Sequence, residues 1–381
     1  MRSRPAPRAG GRYCEKLARL FGGLGCFLLA LPLAADQLST WTTEPSGTTN
    51  DFFAVAYGNG TFVAVGFHGA LCRSTDGGSW TPENSGTTND LEGVTYGKDL
   101  FVAVGENGSI RTSTNGTTWR GYLSGFDSAF HAVTYGKGLY VTVGFGGSIK
   151  TSTNGSAWLL SDSPTTNSLQ AVIWANDMYV ASGFEGTILT STDGSHWTSQ
   201  VSGTSNALHA ISYGAGRFVV GSSEGDLLTS PDGVTWTIQS SGTTNSLRGA
   251  LYANSSFVVT GFRGTILSST NGIDWRPHRS GVTRALRGIA YGAGAFVTAG
   301  YHGTILRSAV APTITNMTFS GNTANFAFAT ANGLVYRIEY KNTLSAASWT
   351  LLHTVSGTGE LITTSDPSAT EPSRFYRVGI E

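Results

Sequence analysis

Tryptophan recurs at positions 41, 80, 119, 158, 197, 236 and 275, and every interval is 39 residues. A period of that length, kept without insertion, restricts the chain to one repeated supersecondary unit. Such a unit buries its apolar faces only against its neighbours. The flanking text repeats with the tryptophan. Turns read Ser-Thr-Asp-Gly-Gly-Ser-Trp (Ser74 to Trp80) and Ser-Thr-Asn-Gly-Thr-Thr-Trp (Ser113 to Trp119), and four variants end at Trp158, Trp197, Trp236 and Trp275. Between turns come segments of the types Leu-x-x-Val-x-Tyr-Gly, Phe-Val-Ala-Val-Gly and Gly-Thr-Ile-Leu-x-Ser. Each unit thus holds four short strands, punctuated by turns at Gly97-Lys98-Asp99, Glu106-Asn107-Gly108 and Asn115-Gly116, where Gly and Asn accept positive φ cheaply.

Four-strand units of about 40 residues in register predict a β-propeller. The seventh copy keeps its middle strands (Leu286 to Tyr291, Ala295 to Gly300, Gly303 to Ser308) but lacks the turn and its tryptophan. The chain begins instead with an orphan strand at Trp41. Pairing that orphan with Gly303 to Ser308 completes a seventh blade and leaves no inner edge unpaired. The expected fold is therefore all-β: a seven-bladed propeller over residues 36–308, closed by its N-terminal strand, a linker at 309–312, and a small β-sandwich over 313–381.

Residues 1–35 read as a signal peptide. Arg2, Arg4, Arg8, Arg12, Lys16 and Arg19 precede an apolar run from Leu20 to Ala35, which is too short to span a bilayer as a helix. The expectation is an exported chain, secreted or held in the periplasm or at the cell surface, monomeric and without a membrane span once the signal is removed. Cys14 and Cys26 leave with that segment. Cys72 then has no partner for a disulfide and reads as a small buried apolar residue, at a register where other copies carry Leu or Ile. The chain has 24 basic and 24 acidic side chains, and only 13% of it is charged. A neutral, charge-poor chain does not coat itself with phosphate-binding cations, so a nucleic-acid partner is not expected.

The Ser-x-Asp/Asn-Gly-x-x-Trp turns resemble the Asp-box, or BNR repeat, of sialidase-like and photosystem-assembly-factor-like propellers. The resemblance covers residues 41–308 and implies that the box is a folding element on the outer hairpin, away from the ligand face. Elementary chemistry agrees, since Asp76, Asn115, Asn154, Asp193, Asp232 and Asn271 each satisfy the backbone of their own tight turn. Sialidases carry a Phe-Arg-Ile-Pro start, an arginine triad and a Tyr–Glu pair on a six-bladed ring, whereas no Phe-Arg-Ile-Pro occurs here and seven blades are expected. Tyr336 to Tyr340, Trp349 and Arg374 to Val378 resemble a fibronectin-III-like module of secreted bacterial proteins, for which a spacer or attachment role is expected.

Comparison of the copies with one another separates blade-building positions from free ones. The second residue of the innermost strand varies in chemistry: Phe53, Glu92, His131, Gln170, His209, Arg248 and Arg287. In propeller geometry this set rings one mouth of the central channel. A second variable position follows the next strand: His68, Asn107, Gly146, Glu185, Glu224, Arg263 and His302, with aromatics before it at Phe67, Phe145, Phe184, Phe262 and Tyr301. Arg248, Arg263, Arg284 and Arg287 make an arginine sector beside the acids Asp51, Asp90, Glu92 and Glu106. Arginines next to aromatic rings suit a carboxylate, a sugar acid or an acidic protein loop. The expected ligand-binding residues are these four arginines with Glu92, His131, Gln170, His209, Phe53, His68, His302, Glu185 and Glu224.

The sequence carries no Ser-His-Asp set, P-loop or dinucleotide fingerprint, so no catalytic residue, metal or cofactor is assigned. The expected function is a non-enzymatic binding or scaffold propeller for a protein or glycan, and the resemblance favours a protein. The alternative is a carbohydrate-active enzyme or lectin that uses Glu92, Glu185 or Glu224 beside the loop phenylalanines. A hydrolase needs two carboxylates about 5–10 Å apart.

Overall fold

The computed structural model describes residues 37–380 apart from 126, 311, 313, 321, 331–334, 344–347, 359 and 370–373. The expected signal segment, with Cys14 and Cys26, lies outside the described residues. Among them the chain is all-β and falls into two compact units that divide between Val310 and Ala311. No helix among the described residues is long and apolar enough to cross a membrane.

The first unit contains seven four-stranded antiparallel sheets. In sheet 1 the strands run outward from Phe52–Gly58 through Thr61–Gly66 and Leu71–Ser74 to Thr81–Pro82. Sheets 2 to 6 repeat this order from inner strands Leu91–Gly97, Phe130–Gly136, Leu169–Ala175, Leu208–Gly214 and Leu247–Ala253. Sheet 7 takes Leu286–Gly292, Ala295–Gly300 and Ile305–Ser308 from the end of the repeat and its outer strand, Trp41–Glu44, from the beginning. The pairing runs from Trp41 opposite Ser308 to Glu44 opposite Ile305. The orphan strand is thus seated where the interrupted period leaves a gap.

Each Ser-x-Asp/Asn-Gly-x-x-Trp segment is a self-satisfied turn. Ser74 Oγ accepts from Gly77 N at 2.8 Å, and Asp76 Oδ1 accepts from Gly78 N and Ser79 N at 2.8 and 2.9 Å. Trp80 Nε1 donates back to Gly77 O at 2.9 Å, while the ring packs 6.2 Å from Phe62 in the core. The same bonds recur at Asn115, Asn154, Asp193, Asp232 and Asn271. In sheet 7 the turn is split, and Trp41 Nε1 donates to Leu38 O at 3.0 Å. Leu38 is fully buried against Val258, Phe296 and Leu306.

Neighbouring sheets meet through glycine. Gly69, Gly147, Gly186, Gly264 and Gly303 all have φ near +65° to +73°, with a backbone carbonyl of the next sheet's leading loop where a Cβ would stand. Gly303 faces Thr48 O and donates its N–H to Asn50 O at 2.9 Å, so sheet 7 meets sheet 1 as the others meet their neighbours.

Cys72 is buried and unpaired; burial, and then the Glu83 charge, push its thiol up to about 12. The expectation that its register is otherwise Leu or Ile holds for Leu189, Leu228, Leu267 and Leu306 but not for Arg111 and Lys150. These long side chains lie along the core and carry their charged ends to loop carbonyls, Arg111 to Gly86 O at 3.1 Å and Lys150 to Ser124 O at 3.5 Å. Burial lowers the Lys150 ammonium to about 8.

The second unit has two three-stranded sheets, one ordered Ile314–Ser320, Thr323–Ala329, Leu361–Asp366 and the other Thr350–Ser356, Val335–Lys341, Phe375–Ile380. Phe326 meets Tyr376 at 5.1 Å and Phe328 meets Tyr336 at 5.5 Å across the two sheets. Buried Asp366 accepts from Arg374 Nη1 at 2.6 Å and Tyr376 OH at 2.7 Å.

If the split turn holds the first unit together, Leu38→Ala removes a fully buried side chain and costs about 2–4 kcal/mol in urea denaturation. Val201→Ala, at a side chain 84% exposed, changes stability by less than about 0.5 kcal/mol. Equal, small effects would show that the N-terminal segment does not stabilise the ring of sheets.

Candidate functional site

All seven inner strands carry a β-bulge at their second residue. The register skips from Phe52 to Ala54, Leu91 to Gly93, Phe130 to Ala132, Leu169 to Ala171, Leu208 to Ala210, Leu247 to Gly249 and Leu286 to Gly288. A bulge leaves one residue out of the ladder and re-aims its side chain. The residues left out are Phe53, Glu92, His131, Gln170, His209, Arg248 and Arg287. All seven line one cavity of about 180 Å³, together with the small and apolar residues that follow them.

Within this ring the charges are unevenly answered. Arg287 lies with Cζ 4.6 Å from the Phe53 ring centroid, and its Nη2 is 4.0 Å from Glu92 Oε2. Glu92 is also 3.4 Å from His131 Nδ1 through the same oxygen. Burial works to raise the Glu92 carboxyl, but the His131 hydrogen bond and the His131 and Arg287 charges outweigh it and hold the carboxyl below its usual range. Arg248 is different. Its Cζ lies 4.9 Å from the Phe262 ring, Nε donates to Ser246 Oγ at 2.9 Å, and Nη1 faces His209 Nδ1 at 3.4 Å. None of the ion pairs among the described residues includes Arg248. Burial, followed by the charges of Arg248 and Arg287, lowers the His209 imidazole to about 3, so it is neutral at pH 7 and accepts from the guanidinium. Phe184 stands edge-on to His209 at 6.1 Å.

The loop residues lie elsewhere. His68, Glu185, Arg263 and His302 occupy a left-handed turn position with φ between 53° and 56°, and all four, with Glu224 and Arg284, are exposed. None lines the cavity. The four arginines of the expected sector therefore divide into two inside the ring, Arg248 and Arg287, and two on the loops, Arg263 and Arg284. The acids expected to oppose them are also redistributed. Asp51 Oδ1 accepts the His302 N–H and Asp90 Oδ1 the His68 N–H, each at 2.8 Å, so these carboxylates tie one sheet's loop to the next sheet. They are turn ligands, not open counter-charges. Phe67, Phe145 and Phe184 are 42%, 64% and 43% exposed on the same loops.

Sequence comparison did not single out Ser246, which orients Arg248. The signal was its place two residues before the bulge, where Asp51 and Asp90 stand in other copies. Among the described residues no group of three or more His, Cys, Asp and Glu is placed to hold a metal ion.

Solved structures place this architecture. The chain is similar to YCF48 bound to a D1 peptide, at 18% identity and TM-score 0.60 over 71% of this chain and 95% of that one. It is similar to a catalytically inactive virginiamycin B lyase from Staphylococcus aureus with quinupristin, at 12% identity and TM-score 0.64, over 71% and 99%. It is also similar to the WD40 propeller domain of Doa1, at 13% identity and TM-score 0.56, over 72% and 96%. The first unit is a β-propeller. No family model matches the chain, and no curated protein matches it. At these identities the likeness concerns the fold alone.

The depressed His209 value has a direct consequence for this propeller. A histidine neutral in the fold binds fewer protons than its unfolded counterpart between about pH 6.5 and 3, so the stability it confers is present above pH 6.5 and lost as pH falls toward 3. His209→Gln, matched in polarity, flattens that slope. Between pH 7 and 4.5 the parent loses on the order of 2 kcal/mol more than the variant in urea denaturation. Parallel pH profiles would show that His209 is not held neutral.

Proposed function

We infer that the propeller is a non-enzymatic binding module that takes a carboxylate of a protein partner at the ring of bulge residues. The observation that carries this reading is Arg248, a half-buried guanidinium beside a second arginine, inside a cavity and without a carboxylate of its own. A buried cation is costly unless paired, and a planar guanidinium held on an aromatic ring presents its remaining N–H groups to a bidentate acceptor. The exposed Phe67, Phe145 and Phe184 supply apolar contact around the opening. YCF48, a propeller of similar fold, binds a peptide of D1, and that supports a protein partner here.

The finer architecture belongs to the same reading. Seven four-stranded sheets joined by repeated glycine contacts, the last with the first, support a closed seven-bladed ring, and the serine–aspartate turns support the Asp-box resemblance. The strand order of the second unit supports a fibronectin-III-like sandwich that serves as spacer or attachment module. Export directed by residues 1–35 would bring the protein to the periplasm, the cell surface or the medium as a monomer.

A hydrolase with paired carboxylates is less well supported. Among the described residues Glu92 is the only acid lining the cavity, whereas Glu106, Glu185 and Glu224 stand exposed on loops outside it.

The reading is tested by cross-linking capture from envelope and secreted fractions with residues 36–381 as bait, beside Arg248→Gln/Arg287→Gln at equal melting temperature. The expected result is one protein retained by the parent and reduced at least about tenfold by the variant, since each charged hydrogen bond is worth about 1.5–3 kcal/mol. Equal capture by both would remove the arginine pair from the site.

A further inference from the structure

The zero net charge of the chain conceals a division within the propeller. Residues 37–239 carry 7 basic and 16 acidic side chains, a balance of 7 − 16 = −9. Residues 240–308, which hold sheet 6 and most of sheet 7, carry 7 arginines and one acid, Asp274, a balance of 7 − 1 = +6. This basic sector contains a groove of about 750 Å³, walled by loops 241–243, 263–265 and 279–283 and floored in part by half-buried Trp275 and by Pro277. Arg263 and Arg279 stand exposed along it, and neither enters an ion pair among the described residues.

Three hydroxyls of the wall are already satisfied. Ser241 Oγ donates to Thr243 O at 3.3 Å, Ser280 Oγ to Val282 O at 3.1 Å and Thr265 Oγ1 to Phe262 O at 2.7 Å. The outer strand alongside, Arg276–His278, is three residues long and contains Pro277, which has no N–H. An extended peptide would find little here for its own amides, because strand addition needs a free edge of donors and acceptors. A polysaccharide has no backbone amides to satisfy. It needs cations for its carboxylates and a flat apolar surface for a sugar face, and the groove offers both.

The molecule contains its own comparison. A groove of the same construction lies between sheets 4 and 5, about 580 Å³ in volume, with Glu185 and Val201 at the positions of Arg263 and Arg279. The place in the fold repeats, but the cations do not, and Trp197, the counterpart of Trp275, does not line this groove.

We propose that the groove between sheets 6 and 7 binds a linear carboxylated polysaccharide, with Arg263 and Arg279 pairing with its uronate carboxylates and a sugar ring lying against Trp275. This site is separate from the cavity of bulge residues and does not depend on it.

Titration calorimetry with tetragalacturonic acid, using the full chain at 20 and 200 mM NaCl, tests the proposal. Binding is expected at the lower salt and weakens at the higher, as screening of exposed charge requires. Arg263→Ala/Arg279→Ala lowers affinity at least about tenfold, Arg120→Ala on another sheet leaves it unchanged, and the methyl ester of the sugar does not bind. No binding of the acid, equal binding of its ester, or full affinity in the double variant would overturn the proposal. So would a Glu-rich decapeptide that binds through the same two arginines as tightly, since the occupant would then be a polypeptide.

Discussion

The propeller depends on how closely one sheet can approach the next. At six junctions between neighbouring sheets a glycine with positive φ, from Gly69 round to Gly303, lies against a backbone carbonyl of the following sheet, and no residue with a Cβ fits there without moving that loop. The aromatic residues late in the inner strands enforce the same spacing. Tyr96 lies on Gly58, Tyr135 on Gly97, Tyr252 on Gly214 and Tyr57 on Gly292, the last across the junction of sheets 1 and 7. With the sheets at that distance, the inner strands bring their bulge residues around one cavity. The bulge residues fill its mouth because they are the residues the ladder leaves unpaired.

Much of this was legible in the residues. The 39-residue interval gives the four-strand unit, and the unmatched Trp41 and truncated seventh copy give the pairing of the first strand with the last of the repeat, because both are local patterns repeated in register. The variable second residue of each inner strand was also visible by comparing copies. What comparison could not supply was the reason for that variability. A bulge is a property of two paired strands, and nothing in Leu91-Glu92-Gly93 alone distinguishes a skipped residue from an ordinary alternation. The loop set lies apart from that cavity for a related reason. His68, Glu185, Arg263 and His302 vary as the channel residues do, but they share a left-handed turn that faces solvent. Asp51 and Asp90 looked like surface acids until the neighbouring sheet brought a backbone N–H to each.

The ring therefore turns one shared backbone irregularity into seven independent choices of side chain. On one side Glu92, His131 and Arg287 answer one another. On the other, Arg248 rests on Phe262 beside a histidine that burial and its cationic neighbours keep neutral. That neutrality matters, since a protonated His209 would add a third cation where two already stand. Among the described residues no carboxylate pairs with Arg248, whereas Glu92 answers Arg287.

Anomalous diffraction from bromide-soaked crystals tests this central claim most directly. The account predicts a bromide in the ring within reach of the Arg248 and Arg287 guanidiniums, with Arg248 still stacked on Phe262. A ring free of bromide while other arginines are occupied, or an Arg248 turned onto a carboxylate of its own chain, would contradict it.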